Sequence, residues 1–199
     1  MPGTHHPEVT LVRHGETEWT ISRRHTGNTD VPLTDTGRQE ALALGKRLAG
    51  SSFDLVLTSP LSRAAETCRL AGLGADAQVR DDLREWDYGA YEGLTTAEIR
   101  VERPGWLLWR DGVVDGESGA EVAARVDRVI AEIRDTVSDG RVAVFAHGHL
   151  LRVFTARWLG LAPDFGAHVV LGPASICRLG WEHGVPAILL WNDRSHLGD

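Results

Sequence analysis

Residues 11–19 read LVRHGETEW, an apolar run that stops abruptly at Arg13, His14, Gly15 and Glu16. Residues 9–12 (Val, Thr, Leu, Val) have the composition of a short buried strand. In sheets of parallel strands, the rim made by the strands' carboxyl ends is where ligands are held. The polar residues that end this run therefore mark a candidate site. Taken alone, His14 reads equally well as a ligand, a base, a nucleophile or a plain strand-end histidine.

Working outward, LTDTGRQEALALGKRLAG (33–50) offers Thr34 as an N-cap, Ala41, Leu44 and Leu48 on one helical face, and Gly50 as a stop. FDLVLTSP (53–60) supplies a second strand, and SRAAETCRLAG (62–72) a second helix closed by Gly72. A short extended piece at 78–80 precedes the irregular LREWDYGAYEGL (83–94). Thr95 and Glu98 then form a capping box for a short helix ending before Pro104. Val122, Val126, Val129, Ile130, Ile133 and Val137 share one face of a long amphipathic helix. RVAVFAHG (141–148) is a third strand that also ends in a histidine, followed by a helix in LLRVFTARWLG (150–160). Strands at 175–181 and 187–191 close the chain as a hairpin around EHGVP. Alternating strands and helices predict an α/β fold: a three-layer sandwich with a mainly parallel central sheet and helices on both faces. Residues 1–199 read as one domain, with 1–8 as a flexible N-terminus.

With 199 residues, 42% of them hydrophobic, the chain can bury a sizeable core. A net charge of −7 argues against nucleic-acid partners, which require a basic surface. The N-terminus has no basic-then-apolar leader, and no run approaches the ~18 apolar residues of a membrane span. These features predict a cytoplasmic protein with neither membrane nor nucleic-acid partners. Cys68 and Cys177 lack metal-finger spacing and read as reduced thiols. An edge-strand or helix-mediated homodimer fits the pattern.

Because parallel strands share one rim, Arg13 and His14, Arg63 shortly after the second strand, and His147 at the end of the third converge on one small volume. Such a crowd of potential cations calls for an anionic ligand or an acid among them. Phosphate fits, since arginine offers paired donors matched to phosphoryl oxygens and stays charged. Glu85 supplies an acid able to hand a proton to a leaving oxygen. Each member also has a plain reading: Arg63 as a helix-start arginine paired with a carboxylate, Glu85 as a surface charge in a Trp-anchored loop. His147 in AHGH is the strongest single signal, because a buried strand has no packing reason to end in two histidines. His149, Tyr88 and Trp19 read as pocket lining or as core, and Trp106 and Trp109 as cover or as packing. His5 and His6 have no assigned role.

LVRHGETEWTISRRHTGNTDVPLTDTGRQEA, TSPLSRAAET, LREWDYGAYEGLT and FAHGH resemble, in order, the motifs of the histidine phosphatase superfamily, in its phosphoglycerate-mutase-like branch. The EWDYGAYEGLTTAEIR and DGES segments look most like mutase-like acid phosphatases. The resemblance implies a phosphomonoester hydrolase acting on small phosphorylated metabolites through a phosphohistidine on His14. It needs no cofactor and no metal. Arg13, Arg63 and His147 would hold the phosphoryl oxygens, and Glu85 would act as general acid and then as general base. Thr20, Thr26 and Gly27 match phosphate-contacting positions, and Tyr88, Gly148 and His149 neighbouring ligand contacts.

The chain departs from the family pattern twice. Thr20 stands where many relatives have asparagine, and His149 where cofactor-dependent mutases have asparagine. The second departure counts against a phosphoglycerate mutase, which is the nearest rival. A metallohydrolase built on His14, Glu85, His147 and His149 would aim two arginines at its metal, and no HxH or HExxH motif stands with supporting carboxylates. A non-catalytic phospholigand-binding module would not need both His14 and a positioned acid.

Overall fold

The computed structural model describes residues 6–198. Six strands form one sheet: β1 (Glu8–Arg13), β2 (Leu55–Thr58), β3 (Ala77–Val79), β4 (Arg141–Ala146), β5 (Ile176–Glu182) and β6 (Val185–Asp193), in the order β3-β2-β4-β1-β5-β6. The first four run parallel, β5 lies antiparallel to β1, and β6 closes the hairpin on β5. The sequence predicts this mainly parallel sheet with a terminal hairpin, and the structure has it.

Pleating sends alternate residues of the central strands to opposite faces. Val9, Leu11, Leu55, Leu57, Val142 and Val144 meet α6 (Gly119–Thr136) and α7 (Gly148–Trp158) on one side. Val12, Val56, Ala143 and Phe145 meet α2 (Asp35–Leu48) and α3 (Ser62–Leu70) on the other. Both faces are covered, so the strands are apolar almost throughout. The remaining helices are α1 (Glu18–Ile21), α4 (Thr96–Glu102) and α5 (Leu108–Asp111).

Local signals hold closely. Thr34, Thr95 and Ser118 cap their helices through their side chains, and the Thr95–Glu98 capping box is closed in both directions. Gly50 and Gly72 follow their helices at φ 83° and 84°, a region that glycine alone enters without penalty. Two short helices, α1 and α5, occupy segments whose sequence shows no helical period, because four residues are too few to display one. The expected flexible stretch 1–8 falls partly outside the described residues, at 1–5. Its other end is fixed: Glu8 opens β1, and the His6 ring stacks on Trp181 with centroids 4.0 Å apart.

The turn that leaves β1 rests on the start of α2. A Cβ at Gly37 would lie 2.2 Å from the Glu16 carbonyl oxygen, and one at Gly15 2.5 Å from the Gly37 oxygen. Gly37→Ala therefore forces two backbones apart directly beside His14. We predict a loss of about 1–3 kcal/mol in unfolding free energy, measured by urea denaturation, together with reduced activity; a wild-type midpoint would contradict this packing.

Candidate active site

Strand register assembles the site. Arg13 pairs with Ala146 across β1 and β4, and Thr58 with Phe145 across β2 and β4. The residues that follow, His14, Ser59 and His147, therefore emerge side by side at one rim. Backbone bonds from His14 N–H to Ala146 O (3.0 Å) and from Ser59 N–H to Phe145 O (2.9 Å) extend the ladder to these residues.

His14 is only 4% exposed, and its ring nitrogen Nδ1 lies 2.7 Å from the Gly15 carbonyl. A carbonyl can only accept, so Nδ1 carries the hydrogen, and in the neutral ring Nε2 keeps its lone pair. Burial, followed by the charges of Arg63 and Arg13, holds His14 well below the usual histidine range. Neutral His14 with a free Nε2 is the form a nucleophile requires.

His147, fully buried, lies beside it with ring centroids 5.2 Å apart. Arg63 Nε donates to His147 Nδ1 at 3.2 Å, so the ring hydrogen sits on Nε2 and donates to Ser59 Oγ at 2.7 Å. Arg63 is itself fully buried and also donates to the carbonyls of Thr26, Gly27 and Thr29. Both residues thus spend donors on protein groups. Gly27 does the same: its N–H donates to both oxygens of Glu92, at 2.9 and 3.0 Å, and its carbonyl receives Arg63. Gly27 seats the arginine and is absent from the cavity wall.

Glu85, 5% exposed, accepts the N–H groups of His149 (3.0 Å), Leu150 (2.8 Å) and Trp86 (2.9 Å). Its carboxyl group occupies the N-terminus of α7, where unpaired amides and the helix dipole favour an acid. Arg125 fixes the loop behind it by donating to the carbonyls of Asp82, Arg84 and Glu85 while pairing with Glu117. Tyr88, 1% exposed, donates its hydroxyl to His149 Nδ1. Burial pushes the phenol well above its ordinary range and the imidazole well below, so the proton stays on the tyrosine.

Arg13 donates to the Leu171 carbonyl, and its Nε has no partner. A Cβ at Gly148 would sit 3.2 Å from the Arg13 Cζ, so glycine there gives the guanidinium its room. Thr20 shares its hydroxyl with Thr17 in the cap of α1, and Thr26 donates to the Arg24 carbonyl. Both still line the cavity.

That cavity has a volume of about 490 Å³, and its walls include Arg13, His14, Thr20, Thr26, Glu85, Tyr88, Gly148 and His149. Arg63 and His147 stand behind His14. The sequence reading missed Arg23, Arg24, His25, Arg100 and Arg152, which also line it, and it missed Glu92 and Arg125 as supports. Trp19, Trp106 and Trp109 form part of the wall. Arg152 lies over the Trp109 ring at 4.7 Å, and burial lowers it to about 10. Among the described residues, no group of three or more His, Cys, Asp or Glu side chains is arranged to hold a metal ion.

Residues 9–194 match the family model of the histidine phosphatase superfamily (branch 1), and the chain belongs to that family. It is 43% identical over 185 residues to an acid phosphatase of Mycobacterium tuberculosis, covering 92% of this chain and 91% of that protein. It is 40% identical over 186 residues to the sedoheptulose 1,7-bisphosphatase of Saccharomyces cerevisiae, covering 78% of this chain and 68% of that protein. The solved structure of the Mycobacterium tuberculosis open reading frame Rv3214 superposes with a TM-score of 0.88 at 42% identity, covering 93% of this chain and 96% of that one. The chain is a phosphoric monoester hydrolase of the histidine phosphatase type.

Three imidazoles, those of buried His14 and His147 and of half-buried His149, are held neutral, with desolvation the largest cause in each case. Unfolding returns them to a value near 6.5. Below that pH the unfolded chain binds more protons than the folded one, so stability must fall as pH falls. We predict a urea midpoint that declines from pH 7 to pH 5, each imidazole adding up to about 1.4 kcal/mol per pH unit. A flat profile would show that these rings are charged or exposed.

Proposed function

We propose that the chain hydrolyses small phosphomonoesters by two in-line displacements at His14. The observation that carries this reading is the Nδ1–H bond to Gly15, which leaves Nε2 as a free nucleophile among Arg13, Arg63 and the Glu85 carboxyl group. In the first step Nε2 bonds to phosphorus, the phosphorus–oxygen ester bond breaks, and Glu85 gives its proton to the departing oxygen. In the second, Glu85 takes a proton from water, the water oxygen bonds to phosphorus, and inorganic phosphate leaves with the bond electrons returned to Nε2.

Arg13, with its unengaged Nε, and the cavity-lining Thr20, Thr26, Tyr88, Gly148 and His149 surround the transferring group. Arg63 and His147 act from behind: the guanidinium supplies positive charge, and the imidazole holds it in place. Gly27 contributes through its grip on Arg63. The arginines provide the positive charge that a metal supplies in two-metal phosphatases, so this reading assigns no metal. The name of the yeast relative, a sugar bisphosphatase, supports a small phosphorylated metabolite as substrate. No helix among the described residues is long and apolar enough to cross a membrane, and Cys68 and Cys177 are buried free thiols. These features support a cytoplasmic enzyme.

Four measurements test the proposal. His14→Ala should abolish turnover and the acid-labile phosphoenzyme trapped by rapid quench, while leaving the circular dichroism spectrum unchanged. Vanadate, which adopts the five-coordinate geometry of the transferring phosphorus, should inhibit; EDTA should not. Activity should persist below pH 6.5, because burial and the charges of Arg63 and Arg13 keep His14 neutral there. Substantial activity in His14→Ala, or zinc-reversible inactivation by EDTA, would overturn the proposal.

A further inference from the structure

The cavity walls carry five arginines, Arg13, Arg23, Arg24, Arg100 and Arg152, against one carboxylate, Glu85. The chain as a whole has a net charge of −7, so this concentration of positive charge is local. Arg24 is paired with Glu98 at 3.2 Å, which leaves four arginines and one acid, a surplus of at least three positive charges (4 − 1) with Glu85 ionised and four with Glu85 protonated. A phosphomonoester group brings about −2 at neutral pH. At least one arginine is left over after the reacting phosphoryl group is matched.

The arginines also differ in how they are held. Arg13 donates to the Leu171 carbonyl, Arg100 to that of Trp106, and Arg152 to that of Gly166. Among the described residues, only Arg23 of the five has a side chain with no hydrogen-bond or ion-pair partner. It is exposed, and it follows Ser22, the C-cap of α1, in the turn between the site strand and the Arg63-bound loop. Its φ of 55° is left-handed, a conformation that a branched or bulky residue resists. A cation on the cavity wall with nothing to neutralise it is a receptor for an anion.

We propose that Arg23 binds a second anionic group of the substrate, remote from the phosphoryl group that reacts at His14. The preferred substrates are thus small phosphomonoesters with a further phosphate or carboxylate. This inference rests on the phosphatase reading for its reacting end and on Arg23 for its far end. Arg23 is then a specificity residue that takes no part in the chemical step.

The test uses Arg23→Asn, since asparagine tolerates the left-handed backbone while removing the charge. Steady-state kinetics on fructose 1,6-bisphosphate against fructose 6-phosphate, and on 3-phosphoglycerate against glycerol 3-phosphate, separate a second phosphate from a carboxylate. The wild-type protein should favour the doubly anionic member of at least one pair by roughly tenfold in kcat/KM, mostly through KM. Added salt should weaken that preference. Arg23→Asn should remove most of it and affect the singly charged member far less. The same pairs are titrated against His14→Ala protein, with and without Arg23→Asn, so that binding is read without turnover. Equal treatment of both members by the wild-type protein, or an equal loss on both in the variant, would overturn the inference while leaving the phosphatase reading intact. Absence of turnover on every substrate would instead sink the phosphatase reading and leave the binding titrations to decide the role of Arg23.

Discussion

The buried guanidinium of Arg63 is the constraint around which this site is organised. A charge with 0% exposure is costly unless its hydrogen-bonding groups are met. Here they are met by His147 Nδ1 and by the carbonyls of Thr26, Gly27 and Thr29. Those bonds tie together the start of α3, the start of α7 and the loop after α1, three segments remote in sequence. The bond to His147 also selects its tautomer, because an arginine can only donate. Glu92 completes the arrangement by holding the amides of Gly27 and Thr29, so the loop presents its carbonyls to the guanidinium and its N–H groups to the acid.

The same buried charge sets the protonation state of its neighbours. Arg63 follows burial among the causes that keep His14 and His147 neutral. A neutral, Nδ1-tethered His14 can use its lone pair, whereas an imidazolium could not. Glu85 stands as a counterweight within this field. Its carboxyl group is held by the amides that open α7, and Arg125 clamps its backbone. Glu85 is thus fixed by the start of a helix and His14 by the end of a strand, and the two meet at one rim. Their relative position depends on sheet register, with no flexible side chain bridging them.

The parts of this arrangement that were legible in the sequence are those with a local or periodic signature. The strand ends, the Thr34 and Thr95 caps and the valine stripe of α6 each declare themselves within a few residues. Convergence of Arg13, His14, Arg63 and His147 followed from topology alone. Arg125 was open to detection: it interrupts the face shared by Val122, Val126 and Val129, and a buried arginine in an apolar stripe needs partners. Glu92, Arg100 and Arg152 carried no such mark, since their roles depend on which loop lies opposite. Gly27 illustrates the same limit, because its motif position points to phosphate while its amide is already committed to Glu92.

Chemistry and selection consequently reside in separable parts of the fold. Histidines and acid are anchored to strand ends and helix starts, where register and buried hydrogen bonds resist change. The wall facing the departing part of the substrate is built from α1 and the turn after it, with Arg23, and from the α4–α5 segment, with Trp106 and Trp109. α1 and its turn hold no buried residue and tolerate substitution better than a rim of paired strands, whereas Trp106 and Leu108 are buried in the core and fix their side of the wall. The surrounding surface is net acidic and offers an approaching phosphate ester little long-range attraction. Recognition must therefore come from the few ångströms over which the cavity arginines act, where the placement of each guanidinium decides more than the total charge of the protein.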